Sequence, residues 1–186
     1  MKFIKTLRKD LPGEDFEWQI IPGKAIPFDK ENVFDDVTVK ISGGIQLRGS
    51  RCSIDRALVN FKPEEKLIKS NWTASTDPYI DSIRLEFEPA HSNIRVLGVG
   101  VQYAVDSNIN GCKFTALLRI LDENGKRYDD KNTLGETINK MNKKAVFLGA
   151  EAGAGEVIKV AKFDVIPDAG LAIEGFYINS LRLKLG

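Results

Sequence analysis

Apolar and polar positions alternate along much of this chain, and a period of two is the mark of half-buried β-strands. Ile83, Leu85 and Phe87 alternate with Ser82, Arg84, Glu86 and Glu88. Pro89 stops that strand, and Ala90-His91-Ser92-Asn93 makes a short connection. A long apolar stretch follows from Ile94 to Val105, with Leu97, Val99, Val101, Tyr103 and Val105 on one face. Gly98 and Gly100 fall on the other face, where a bulge or a closely approaching neighbour is expected. Phe114, Ala116, Leu118 and Ile120 line one face of a further strand, and Thr115, Leu117, Arg119 and Leu121 the other. Asp122-Glu123-Asn124-Gly125 predicts a hairpin turn, because Asn-Gly tolerates positive φ at both central positions. Lys126 to Tyr128 is then the return strand.

The alternation lapses in two places. Residues 129–143 are polar; Leu134, Ile138 and Met141 are spaced for one face of a short helix, while Gly135 argues for a structured loop instead. Gly149 to Gly155 predicts a small, flexible loop. Alternation resumes at Ala145 to Leu148, and Val157 to Ile166 and Ile173 to Leu185 predict two final long strands. In the first half, strands are expected at Phe16 to Ile21, Val37 to Ile41, Ile45 to Arg48 and Ala57 to Phe61, with a turn at Gly43-Gly44. About ten short strands parted by turns predict an all-β, antiparallel β-sandwich with at most one short helix. The repeated helices that a parallel βαβ array needs are absent. Residues 1–186 form one domain in this reading, with 1–15 as a flexible arm.

Composition narrows the function classes. The 186 residues include 27 basic and 26 acidic side chains, a net charge of +1. That balance leaves no electrostatic footprint for nucleic acid. No Lys/Arg run exceeds two residues, so a polybasic membrane patch is not expected either. No stretch approaches the length of apolar residues needed to span a bilayer. The first ten residues carry basic side chains but no apolar core, so no secretory signal is expected there, and the compartment stays open. Cys52 and Cys112 are the only cysteines; their spacing does not decide between a pair and two free thiols. With one histidine, His91, the usual Cys/His zinc site is not available.

The order of segments in the second half carries a resemblance. Ile83-Arg84-Leu85-Glu86-Phe87-Glu88-Pro89 precedes the glycine-containing strand Val96-Leu97-Gly98-Val99-Gly100-Val101. Phe114-Thr115-Ala116-Leu117-Leu118 runs into Asp122-Glu123-Asn124-Gly125. Val146-Phe147-Leu148-Gly149, Ile158-Lys159-Val160-Ala161-Lys162-Phe163 and Leu171-Ala172-Ile173-Glu174-Gly175-Phe176 complete the series. Over about residues 80–180 this resembles the jelly-roll β-sandwiches of the galactose-binding-like superfamily. It is most similar to the bacterial exported proteins that carry a PEP-CTERM sorting tail. The signal peptide and the C-terminal Pro-Glu-Pro, membrane helix and Arg cluster of those proteins have no counterpart in this sequence, so the resemblance speaks to fold. It implies a jelly-roll sandwich, a type that often holds a structural calcium ion. A shared fold does not establish a shared function.

No nucleophile elbow, P-loop or dinucleotide fingerprint is present, and no catalytic residue is assigned. The glycine-rich 149–155 segment lacks the Lys-Ser/Thr of a P-loop. His91, with Glu88 as an orienting partner, is a lone general acid or base on one reading and a solvated loop histidine on the other. Loop carboxylates are the source of a calcium site, since calcium takes six to eight oxygen ligands; the resemblance points to Glu174 with Asp35 or Asp36. Asn71-Trp72-Thr73-Ala74-Ser75-Thr76-Asp77-Pro78-Tyr79 places two large amphipathic rings among polar groups. Trp72 and Tyr79, with Asn71 and Asp77, are the expected ligand contacts; the alternative is that Trp72 packs over the core edge.

Three functions follow. One is a non-catalytic module for a carbohydrate or another polar ligand. The second is a structural or assembly protein, a homo-oligomer for instance, acting through an exposed sheet surface. The third is a small-molecule cyclase or isomerase that works by pocket shape and one acid.

Overall fold

The computed structural model describes residues 1–4, 14–16, 26–27, 31–34, 36–43, 45–48, 66–70, 82–107, 111, 113–136, 146–167 and 173–186. Fourteen strands, numbered in chain order, form two antiparallel sheets among these residues. The eight-stranded sheet runs β1 (Lys2–Ile4), β12 (Val146–Glu151), β9 (Val96–Ser107), β14 (Ile173–Leu185), β7 (Lys66–Lys69), β6 (Ile45–Arg48) and β3 (Ile26–Pro27); β2 (Glu14–Phe16) also pairs with β14. The six-stranded sheet runs β11 (Arg127–Glu136), β10 (Lys113–Asp122), β13 (Ile158–Pro167), β8 (Ile83–Pro89), β5 (Val37–Ser42) and β4 (Glu31–Phe34). The sheets pack face to face, as the alternation predicts. Among the described residues there is no helix.

Each alternating segment turns its apolar set inward. Ile83, Leu85 and Phe87 of β8 are buried, as are Phe114, Ala116, Leu118 and Ile120 of β10 and Val99, Val101, Tyr103 and Val105 of β9. Together they form one core shared by both sheets. Tyr103 stands at its centre. Its ring stacks on Phe176 of β14 at 4.9 Å and meets Phe114 of the other sheet at 6.1 Å. A phenol here needs a partner, and the Tyr103 hydroxyl donates to the Asp164 carbonyl at 3.0 Å. Burial, aided by the Asp164 charge, holds the Tyr103 pKa well above its ordinary value, so it stays a neutral donor.

Glycine does a specific task on the outer face of the larger sheet. Gly100 and Gly149 are direct cross-strand partners, and the Phe147 ring lies flat across them. A Cβ on Gly100 would sit 2.3 Å from Phe147 Cζ, and one on Gly149 2.8 Å from the Val99 carbonyl oxygen. The close neighbour expected beside Gly100 is therefore Phe147, and Ile4 of β1 packs against it.

Four expectations change. The helix with Leu134 on one face is not formed: Leu134 lies in β11, and Ile138 and Met141 are outside the described residues. As far as Glu136 the polar run is an edge strand among the described residues. Lys131 and Asn132 together oppose Leu117, a bulge, and Asp130, opposite core residue Leu118, is buried. A bulge and an inward-turned carboxylate both blunt a sheet edge against pairing with another chain. Gly135 is needed because the Phe114 ring covers it, with Cζ 2.2 Å from where a Cβ would lie. Second, the 149–155 segment is not a loop throughout: Gly149 to Glu151 finish β12, because Gly149 is paired beneath the Phe147 ring. Third, only Gly125 has positive φ in the 122–125 turn, at 78°. The hairpin is thus a type I turn followed by a left-handed glycine. Fourth, Lys2–Ile4 pairs with β12 and Glu14–Phe16 with β14, so these parts of the 1–15 segment belong to the sheet. Of the strand expected at 16–21 only Phe16 is described, at the end of Glu14–Phe16, and the strand expected at 57–61 lies outside the described residues, as do Cys52 and Cys112.

Candidate functional site

The ligand contacts expected from sequence, Asn71, Trp72, Asp77 and Tyr79, lie outside the described residues. The structure does describe what holds their segment. It leaves the larger sheet at Ser70, after β7, and enters the smaller sheet at Ser82, before β8. Ser70 is fully buried. Its N–H donates to the Phe176 carbonyl and its Oγ accepts the Phe176 N–H, both at 2.8 Å. The Ser82 hydroxyl donates to Asp164 Oδ1. Asp164 is held in turn by Arg119 at 3.3 Å, and its carbonyl by Tyr103. Among the described residues, Arg119 Nε and Asp164 Oδ2 are buried without a hydrogen-bond partner, so this pair is incompletely satisfied beside the Ser82 mooring. Gly43 completes the frame. It has φ +80°, and a Cβ there would fall 1.9 Å from the Ser82 carbonyl oxygen.

The carboxylates named for calcium are placed differently. Asp36 has φ 61° in the tight turn that joins β4 to β5, and its side chain is exposed. Aspartate tolerates that left-handed backbone, so turn geometry accounts for its position. Asp35 lies outside the described residues. Glu174 is the extra residue of a bulge, since Ile173 and Gly175 pair with the adjacent residues Ser107 and Asp106; its side chain is not described. The register places these positions at opposite ends of the sandwich. Asp36 is beside the Val37–Pro89 pair, whereas Glu174 is by Ser107, the far end of β9 from the β8–β9 connection. Among the described residues no group of three or more His, Cys, Asp and Glu side chains converges. His91 is exposed in the β8–β9 connection. The Glu88 carboxylate expected to orient it is taken by Lys40 Nζ at 2.7 Å, which lowers the Glu88 pKa.

The outer face of the smaller sheet is polar with one apolar corner. Arg119, Lys162 and Arg84 face one another directly across β10, β13 and β8. Carboxylates answer most of this charge: Arg84 pairs with Glu86 at 3.1 Å and Arg127 with Asp129 at 2.8 Å, besides Arg119 with Asp164. At the corner, Leu134 and Ile166 flank Thr115 and are 70% and 47% exposed.

A second polar cluster ties the two sheets together at the opposite end. Glu156, in the β12–β13 connection, accepts the Met1 amino group at 2.5 Å, the Tyr128 hydroxyl at 2.5 Å and the Gly153 N–H at 2.8 Å. These donors hold its pKa down, from 4.5 to about 2. The folded state therefore favours the carboxylate. Its stabilising contribution is complete above the unfolded pKa and declines as the pH falls from about 4.5 towards about 2. Melting temperature over that interval is expected to fall more steeply for the parent than for Glu156→Gln. Parallel pH profiles would show that Glu156 contributes nothing to acid sensitivity.

Sequence reasoning missed Ser70, Ser82, Asp164 and Glu156. Each is a common polar residue whose meaning comes from its cross-strand neighbour, and only the Asp164 carboxylate within the apolar run 160–166 gave a local sign.

Comparison with known proteins adds little. No family model matches the sequence, and no curated protein matches it. Among solved structures, the fold is similar at a distance to the crystal structure of the enzymatically active domain of bacteriophage CBA120 tailspike protein 4. The match covers 82% of this chain and 20% of that one, with 12% identity and a TM-score of 0.36. This chain thus spans about a fifth of that protein's length, and the likeness carries no argument about function.

Proposed function

We propose that the chain is a non-catalytic ligand-binding β-sandwich module that takes a carbohydrate or a similarly polar small ligand on its 71–79 segment. Trp72 and Tyr79 serve as stacking rings, and Asn71 and Asp77 as hydrogen-bonding groups. The observation that supports this most is the mooring of that segment. The residues that flank it, Ser70 and Ser82, are fastened to different sheets by hydrogen bonds to a scaffold with a buried apolar core. Recognition segments are effective when a rigid frame fixes them. Among the described residues Tyr103, Phe176, Phe114 and Phe163 occupy the interior, and the reading puts the ligand on the outside of the molecule. The jelly-roll resemblance points the same way, and a structural calcium ion on loop carboxylates belongs to the same proposal.

A glycan array followed by calorimetry, run with calcium and with a chelator, tests the reading. The expected result is a saccharide ligand whose affinity drops about tenfold or more in Trp72→Ala, the usual scale for truncating a buried tryptophan anchor. Retention of full affinity by Trp72→Ala, or an empty array with the folded parent, overturns it.

A further inference from the structure

We infer that Asn124 is a site of spontaneous chemical modification, conversion to aspartate and isoaspartate through a cyclic imide, and that the Asp122 side chain is the brake on it. The sequence motif is Asn124-Gly125, at the tip of the β10–β11 hairpin. The reaction needs the Gly125 nitrogen to attack Asn124 Cγ. The Gly125 amide proton is lost to solvent base, the N–Cγ bond forms, and the C–N bond of the side-chain amide breaks as its nitrogen takes a proton from solvent and leaves as ammonia. Water then opens the five-membered imide at either carbonyl. Opening on one side gives aspartate; opening on the other carries the main chain through the former side chain as isoaspartate. No oxidant or reductant is consumed.

Two observations favour attack. Both residues are exposed, and nothing lies within 4 Å of the position a Gly125 Cβ would take, so no neighbouring element packs over the tip of the turn there. Glycine lacks the side chain that hinders this cyclisation in other Asn-X pairs. Against this stands the hydrogen bonding of the turn. The Gly125 N–H, the group that must be deprotonated, donates to the Asp122 carbonyl at 3.0 Å. Asp122 Oδ1 accepts the Asn124 N–H at 2.9 Å and the Lys126 N–H at 2.8 Å. One nearly buried carboxylate therefore clamps Asn124 itself and Lys126, the residue that follows the reacting pair, and its negative charge disfavours an amide anion beside it. Cyclisation requires the turn to open. Once formed, isoaspartate lengthens the main chain by one methylene where the left-handed Gly125 must follow directly, and it adds a charge next to Asp122 and Glu123. The hairpin cannot reclose in its original geometry.

Peptide mapping of the full-length chain, aged at mildly alkaline pH, reads the modification as an amide-to-acid mass gain with two chromatographic products. The parent is expected to react much more slowly when native than in urea. Native Asp122→Ala is expected to react about tenfold faster than the native parent, because hydrogen bonds to a charged acceptor that hold the turn are lost. Asn124→Gln is expected to remove the products. Equal rates for native and urea-unfolded parent, or no product in urea, overturn the inference. So do equal rates for Asp122→Ala and parent. If Asp122→Ala does not fold, the native-versus-urea comparison on the parent decides alone.

Discussion

Phe176→Ala is expected to remove about 3–5 kcal/mol of folding stability, the range for deleting a large aromatic from a core that cannot fully collapse. Phe176 is fully buried near the start of β14 and stacks on Tyr103 at 4.9 Å. The Tyr103 ring is held in place by its hydroxyl's bond to the Asp164 carbonyl, so it cannot swing into the void. The backbone groups of Phe176 that bind Ser70 are untouched by the substitution, and the loss therefore measures the ring. Against a usual total of about 5–15 kcal/mol, a loss of this size leaves a marginal domain. Urea unfolding reports it as a lower midpoint at unchanged slope. A loss under about 1 kcal/mol would mean that the neighbours refill the space, contrary to a close-packed centre.

Gly43→Ala is the second large effect, by a different route. The residue has φ +80°, and a Cβ would lie 1.9 Å from the Ser82 carbonyl oxygen. A flexible side-chain end would move aside; a backbone carbonyl whose own residue is tied to Asp164 does not. Left-handed backbone costs about 1–2 kcal/mol for a residue with a Cβ, and overpacking adds about 1–3 kcal/mol, so the expected loss is about 2–5 kcal/mol. Gly125→Ala separates the two contributions. Gly125 has φ +78° but open space around it, so only the backbone cost of about 1–2 kcal/mol should appear. Equal losses for the two variants in chemical denaturation would exclude the contact with Ser82 as the cause.

The legible parts of the sequence are those where one face is wet and the other dry. β8 and β10 announce themselves because Ile83, Leu85 and Phe87, or Phe114, Ala116, Leu118 and Ile120, must all turn inward. β11 does not, because an edge strand with a bulge and an inward Asp130 has lost the period that defines a strand. Gly149 looks like loop sequence because the side chain that covers it, Phe147, and its partner, Gly100, are recognisable only once the sheet is assembled. Partnership is hidden in the same way. β5 and β6 adjoin in sequence across Gly43, yet they enter different sheets. For the candidate site, the rings of the 71–79 segment stand out by their chemistry, whereas Ser70 and Ser82, which flank it, have no distinguishing sequence context and Asp164 shows only as a carboxylate in a largely apolar run.

The order of strands sets a condition on assembly. β14 comes after the other thirteen strands described, yet it lies inside its sheet, between β9 and β7. Until β14 arrives, β9 with β12 and β1 has no connection to the β7, β6 and β3 group, and Tyr103 lacks the ring it stacks on. The keystone is thus the last of these strands to be delivered. Early segments must wait, with apolar faces uncovered, for contacts that span most of the chain. Such non-local pairing places folding at the slow end for a domain of this size, and makes the period before β14 docks the time of greatest exposure to aggregation.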